Sequence, residues 1–195
     1  NNDPADAEYA IQALTTYGEK AVSPLMENLK KYPGRTDIYR GLIAIGKPSV
    51  KPISELLVKS YGENKQNAFW VLQGIQDPSS EPFLITLLED NELVDGAAEL
   101  IVTLHDEDVT VLFPYLLDKS TVNVYKTIIL YGDDRSIALL ETALNQFGDE
   151  KMAEYYLNCE NTDLESAAKN WASANGYSVS NESTFLSNDG VWGSK

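Results

Sequence analysis

The chain is poor in the residues that usually announce chemistry. It holds one cysteine, one histidine and three arginines. A lone Cys159 excludes an internal disulfide and a C-x-x-C pair, and leaves the redox compartment open. A lone His105 with its neighbouring turn carboxylates makes a poor transition-metal set, and no loop of EF-hand form is present. Gly-rich phosphate cradles and the G-x-S-x-G elbow are absent too. No uncharged run is long and apolar enough to span a membrane. Basic residues become scarce beyond residue 62. Residues 1–62 carry eight Lys/Arg and seven Asp/Glu, whereas residues 63–195 carry seven and twenty-three. The net charge is −15, and all the excess acid lies in the second stretch. Such a surface repels phosphate backbones and anionic bilayers, which argues against nucleic-acid and anionic membrane-surface partners. Solubility is the plain reading of the acid; a docking face for a basic partner is the sharper one.

What the chain does have is an apolar fraction of 43% over 195 residues, enough for a sizeable core, and a period. "YGEKAVSPLMENL" from Tyr17 is followed by "IGKPSVKPISELL" from Ile45 and "IQDPSSEPFLITLL" from Ile75. "LHDEDVTVLFPYLL" from Leu104, "YGDDRSIALLETAL" from Tyr131 and a degenerate "CENTDLESAAKNW" from Cys159 complete six copies. The intervals run from 27 to 30 residues. Three apolar columns persist. One reads Leu14, Leu42, Leu72, Ile101, Ile128, Tyr156; a second reads Leu25, Ile53, Phe83, Leu112, Leu139, Ala167; a third reads Leu29, Leu57, Leu87, Leu116, Ala143, Trp171.

Each copy holds two apolar segments at helical spacing. In the first, Ala10, Ile11, Ala13, Leu14 and Tyr17 mark one face, and Val22, Leu25, Met26 and Leu29 another. The turn between them opens with Gly18, Gly46, Gln76, His105, Gly132 and Glu160, a column where glycine suits a left-handed helix end. Asp106 then aligns with Asp77 and Asp133. Ser49, Ser79, Asp108 and Asp163 form the expected column of N-caps for the second helix. Pro24, Pro52 and Pro82 are expected in that helix's first turn, where proline costs little. Pro114 sits about one turn deeper; it bends its helix, unless that helix starts later.

Pairs of short helices cannot bury their faces alone, so the reading is an all-α chain, an α-solenoid of about six stacked helix pairs. The pattern resembles the short HEAT-like repeats first noted in phycobilisome lyases. "YGDDRSIALLETAL" and "IQDPSSEPFLITLL" match that class's hydrophobic-Gly-Asp-x-x-x-hydrophobic core, and Ile38 with Arg40 and Val124 with Lys126 match its Val-x-Arg signature. The resemblance covers roughly residues 7–175. The arginine column keeps a base only at Arg40 and Lys126. The repeats are expected at about 7–33, 36–62, 64–90, 92–120, 121–148 and 149–175, inside one domain over 1–175. The tail 176–195 breaks the period, yet holds Tyr177, Phe185, Leu186 and Trp192. It is expected to be non-helical and to fold back over the last pair, capping its core. The leading residues read as a frayed end with an N-cap at Asp3 or Asp6.

No catalytic set emerges. Capping and turn roles account for His105, Asp106 and Asp108, and for the run Asp133–Asp134–Arg135. Cys159 falls in an apolar column, which predicts a buried thiol rather than a nucleophile. The resembled lyases handle bilin chromophores, but no residue here supports that chemistry. The expected function is a non-catalytic scaffold or adaptor that needs no cofactor or metal and takes a peptide or protein partner in its concave groove. Self-association as a structural protein is the alternative, and a bilin-lyase-like enzyme stands further back. In the resembled repeats the second helices line the groove. Here they change sign along one column, from Lys31 and Lys59 through Glu89 and Asp118 to Asn145. Tyr115 and Phe113 are candidate aromatic contacts, against the plainer role of core filling. Few arginines and fourteen asparagines point to an AT-rich bacterial genome. A polar lead without Met fits a processed, exported lipoprotein of the cell envelope, with the cytoplasm as the alternative.

Overall fold

The computed structural model describes residues 9, 13–32, 34–179, 192, 193 and 195. The expected caps Asp3 and Asp6, the first-face residues Ala10 and Ile11, and the tail residues Phe185 and Leu186 lie outside the described residues. Every regular element among the described residues is a helix. The chain forms two compact units, 1–83 and 84–195.

The first unit holds α1 (Glu19–Lys31), α2 (Thr36–Ile45), α3 (Val50–Lys59) and α4 (Glu63–Ile75). Helix α1 packs on α2, α2 on α4, and α3 on α4. Tyr39, Leu42, Ile53, Leu57 and Leu72 are almost completely buried between them. Each such side chain contributes about 1.5–3 kcal/mol of hydrophobic stabilisation. Side chains press close on two glycines. A Cβ on Gly41 would stand 2.9 Å from Leu14 Cδ1, and one on Gly74 would stand 2.8 Å from Ile43 Cδ1.

Helix α5 (Glu81–Thr86) joins the two stretches of chain. The second unit then holds α6 (Val94–Leu104), α7 (Phe113–Leu116), α8 (Tyr125–Tyr131), α9 (Ile137–Phe147), α10 (Glu150–Leu157) and α11 (Thr162–Ala174). Here α6 packs on α8, α7 on α9, α9 on α11, and α10 on α11. The main contacts in each unit therefore join helices one or two steps apart along the chain. Tyr125 meets Tyr155 and Tyr156 edge to face at 5.5 and 5.8 Å. The buried Tyr156 hydroxyl donates to the Leu140 carbonyl at 3.0 Å, so the ring enters the core with its polar end satisfied.

The turn inside each pair is a tight device. A 3-10 turn precedes the second helix at Lys47–Ser49, Pro78–Ser80, Val109–Leu112 and Asp134–Ser136. Positive φ angles occur at Gly18, Gly46, Gln76, Gly132 and Glu160, as the turn column predicts, but His105 passes the role to Asp106 and Glu107. The caps differ from expectation. Asp77, Asp108, Asp133 and Asn161 accept backbone hydrogen bonds from residues two positions on. Of the expected column only Asp108 caps. Ser79 instead donates to Asp77, and Asp163 donates to Asn161. It is Asp108, not Asp106, that shares the role of Asp77 and Asp133. A carboxylate or amide two residues earlier reaches the free amides of a tight turn better than a residue already inside it.

Two proline expectations exchange places. Pro24 lies inside the continuous α1 rather than in a first turn. Pro114 is the second residue of α7, because the wider 3-10 turn Val109–Leu112 delays that helix. Its missing N–H is therefore harmless there.

Candidate interaction surface

The residues of the predicted column lie at or near helix ends. Lys31 and Lys59 are the last residues of α1 and α3, both exposed. A cation there complements the negative end of the helix dipole. Tyr32 follows Lys31 directly and Tyr61 follows Lys59 by two residues, 57% and 87% exposed, and Val58 is exposed beside Lys59. These tyrosines were invisible to a search for apolar period because they fall outside it. In the second unit Glu89 ends a 3-10 turn, Leu87–Glu89, and Asp118 follows α7 by two residues. Ser120 Oγ donates to Asp118 Oδ1 at 2.8 Å and to Glu89 Oε1 at 3.3 Å, tying the two carboxylates together. The Ser120 amide also donates to Asp118, and this hydrogen bonding holds the Asp118 carboxyl below its ordinary range. Asn145 is exposed near the end of α9.

Tyr115 is only half exposed, and its carbonyl accepts from Thr121 Oγ1 at 2.7 Å. Phe113 is likewise half buried. The two aromatics thus belong partly to the packing of the short α7.

The residues examined for chemistry are placed by architecture. Cys159 is completely buried, its Sγ donates to the Tyr156 carbonyl at 3.2 Å, and burial pushes the thiol's pKa up. Asp133 is clamped by Arg135, which holds its carboxyl below the ordinary range and reaches Asp108 at 3.6 Å. Among the described residues no three His, Cys, Asp or Glu side chains are grouped as a metal ion requires. No helix among them is long and apolar enough to cross a membrane.

No protein-family model, curated protein or solved structure matches the chain. The surface must speak through its own chemistry. Its charged features differ between units: Lys31 and Lys59 with nearby tyrosines lie at helix ends in the first, and Glu89 and Asp118 lie near helix ends in the second.

Proposed function

We propose that the chain is a non-catalytic interaction module, a HEAT-like α-solenoid that takes a peptide or protein partner along the ends of its second helices. The contrast just described carries this reading. Helix ends in the first unit present exposed Lys31–Tyr32 and Lys59 with Tyr61, and the second unit presents exposed Glu89 and Asp118. Tyrosine offers large contact area at low entropic cost, and separated charges orient a bound chain. Packing between helices one or two steps apart supports the solenoid. A variant with Lys31→Glu, Lys59→Glu, Glu89→Lys and Asp118→Lys keeps its helical circular dichroism and loses the partners recovered by the wild type in affinity capture. Unchanged recovery rejects the surface.

The same contrast favours self-association as a second reading, because the basic ends of one copy complement the acidic ends of another. Light scattering after size exclusion then shows a mass above 21.6 kDa that falls as salt rises. A constant monomer mass excludes it.

A further inference from the structure

We propose that the C-terminal end of α8 and the turn after α10 form a peptide-binding site, which Trp192, Gly193 and Lys195 of the same chain occupy. A helix leaves its last four carbonyls without partners inside the helix. Here the Leu130 carbonyl in the last turn of α8, the neighbouring Ile129 carbonyl, which also accepts the Gly132 amide, and the Cys159 carbonyl in the turn after α10 supply the acceptors, and the end of the described chain supplies the donors. The Trp192 amide donates to the Cys159 carbonyl at 2.7 Å, just past α10. The amides of Gly193 and Lys195 donate to the carbonyls of Ile129 and Leu130 at 3.1 and 3.0 Å, in the last turn of α8. Backbone thus meets backbone at three points, a mode that fixes a peptide's register without reading its side chains.

Side-chain selectivity comes from two further features. Gly132, at φ +62°, closes α8 and leaves room for the bound segment. A Cβ on it would come within 2.5 Å of Gly193 Cα and 3.1 Å of Trp192 Nε1, so the site admits its ligand only because Gly132 lacks a side chain. Gly193 itself has φ +63°, which larger residues adopt at a cost. The negative helix end and Glu99 then favour a cation, and Lys195 Nζ lies 3.3 Å from Glu99 Oε2. Both groups are partly exposed, so this pair directs orientation more than it adds affinity. The ligand class is a short peptide with an aromatic residue, then glycine, then a basic residue two positions on. The chain's own segment holds the site closed to other peptides. This extends the proposed function by naming a ligand class, yet it rests on contacts inside the second unit and requires no outside partner.

The test uses the chain's own residues as the probe. An isotope-labelled chain ending at residue 189 is titrated with the synthetic peptide Gly-Val-Trp-Gly-Ser-Lys and followed by NMR. Amide shifts confined to residues 129–132 and 159–161 are expected by about 10 mM peptide, since linked segments work at millimolar effective concentrations. The full chain binds the peptide at least about threefold more weakly, because its own segment competes. A peptide carrying Gly193→Val loses binding, and this substitution cannot unfold the protein. Absent shifts, equal binding to the full chain, or an undiminished valine peptide would each overturn the proposal. Should the shortened chain lose its fold, hydrogen exchange in the full chain decides instead. Protected amides at Trp192, Gly193 and Lys195 support the site, and exchange at the free-peptide rate refutes it. Loss of the charge contrast in the first experiment leaves this outcome untouched.

Discussion

Three buried serines show how the same residue changes value with its neighbour. Ser49, Ser80 and Ser136 each end a 3-10 turn before a second helix. Ser80 and Ser136 donate to the carbonyls of Asp77 and Asp133 at 2.8 and 2.6 Å. Ser49 follows Gly46 instead, and its buried Oγ finds no partner among the described residues; nor does that of Ser54, one turn on. A buried hydroxyl without a partner carries a desolvation penalty of about 1–3 kcal/mol. Ser54→Ala is therefore expected to raise the unfolding free energy by about 1 kcal/mol, and Ser136→Ala to lower it by about 1 kcal/mol. Urea denaturation followed by circular dichroism measures both, and equal signs would contradict the assignment. Asp133→Ala removes the cap together with its Arg135 contact and costs about 1 kcal/mol, whereas Asp133→Asn keeps the accepting oxygen and costs less. The caps also explain part of the acid excess. Asp77, Asp90, Asp108, Asp118, Asp133 and Asp149 each accept backbone amides at a turn or helix start. The corresponding starts at Gly18, Gly46 and Gly62 have no side-chain cap.

At the scale of the element, the sequence columns were legible where burial is complete. Leu29, Leu57, Leu87, Leu116, Ala143 and Trp171 are all buried, and so are Leu42, Leu72, Ile101, Ile128 and Tyr156. The middle column slipped. Leu84, Leu140 and Ala168 are fully buried, while Phe83, Leu139 and Ala167 are only partly so. The turn causes the slip. Gly46 both ends α2 and opens the next turn, whereas Gln76 with Asp77, and Gly132 with Asp133, divide those two roles. The extra residue moves the following helix by one position, which an alignment on glycine conceals. The sign change from Lys31 and Lys59 to Glu89 and Asp118 was legible; the exposure of Tyr32 and Tyr61 and the contacts of Trp192 were not, since none of these residues follows the period. Proline position makes a sharp test of the revised boundaries. Pro24, inside α1, removes a helical hydrogen bond at about 3 kcal/mol and recovers about 1 kcal/mol by restricting the unfolded chain. Pro24→Ala is thus expected to stabilise by about 2 kcal/mol. Pro114→Ala, in a first turn, is expected to destabilise by up to about 1 kcal/mol. Thermal melts of the two variants moving in the same direction would show that one boundary is misplaced.

At the scale of the whole molecule, charge is divided unequally. Residues 1–83 hold nine Lys/Arg against ten Asp/Glu, leaving −1, and residues 84–195 hold six against twenty, leaving −14. Two consequences for stability follow, with different signatures. The carboxyls of Asp77, Asp108, Asp118 and Asp133 lie below their ordinary value because hydrogen bonds favour the charged form. Their contribution is complete above about pH 4, the unfolded value, and is lost as pH falls below it through the folded values. Tyr125 and Tyr156 lie above theirs because burial disfavours the phenolate. Stability therefore declines again as pH rises beyond about 10, where the unfolded tyrosines ionise first. Between these limits repulsion among the surplus carboxylates dominates the response to salt. Raising ionic strength from about 0.01 to 0.15 M shortens the screening length from about 30 to 8 Å, which reaches across the surface of the second unit. Salt weakens the local pairs as well, but those at Lys195–Glu99 and Lys126–Asp95 are exposed and contribute little. The midpoint of the urea unfolding transition followed by circular dichroism is accordingly expected to rise with sodium chloride at pH 7. At pH 4, with many of the carboxylates neutral, that rise shrinks. A midpoint that falls with salt at pH 7 would mean that the paired charges outweigh the surplus.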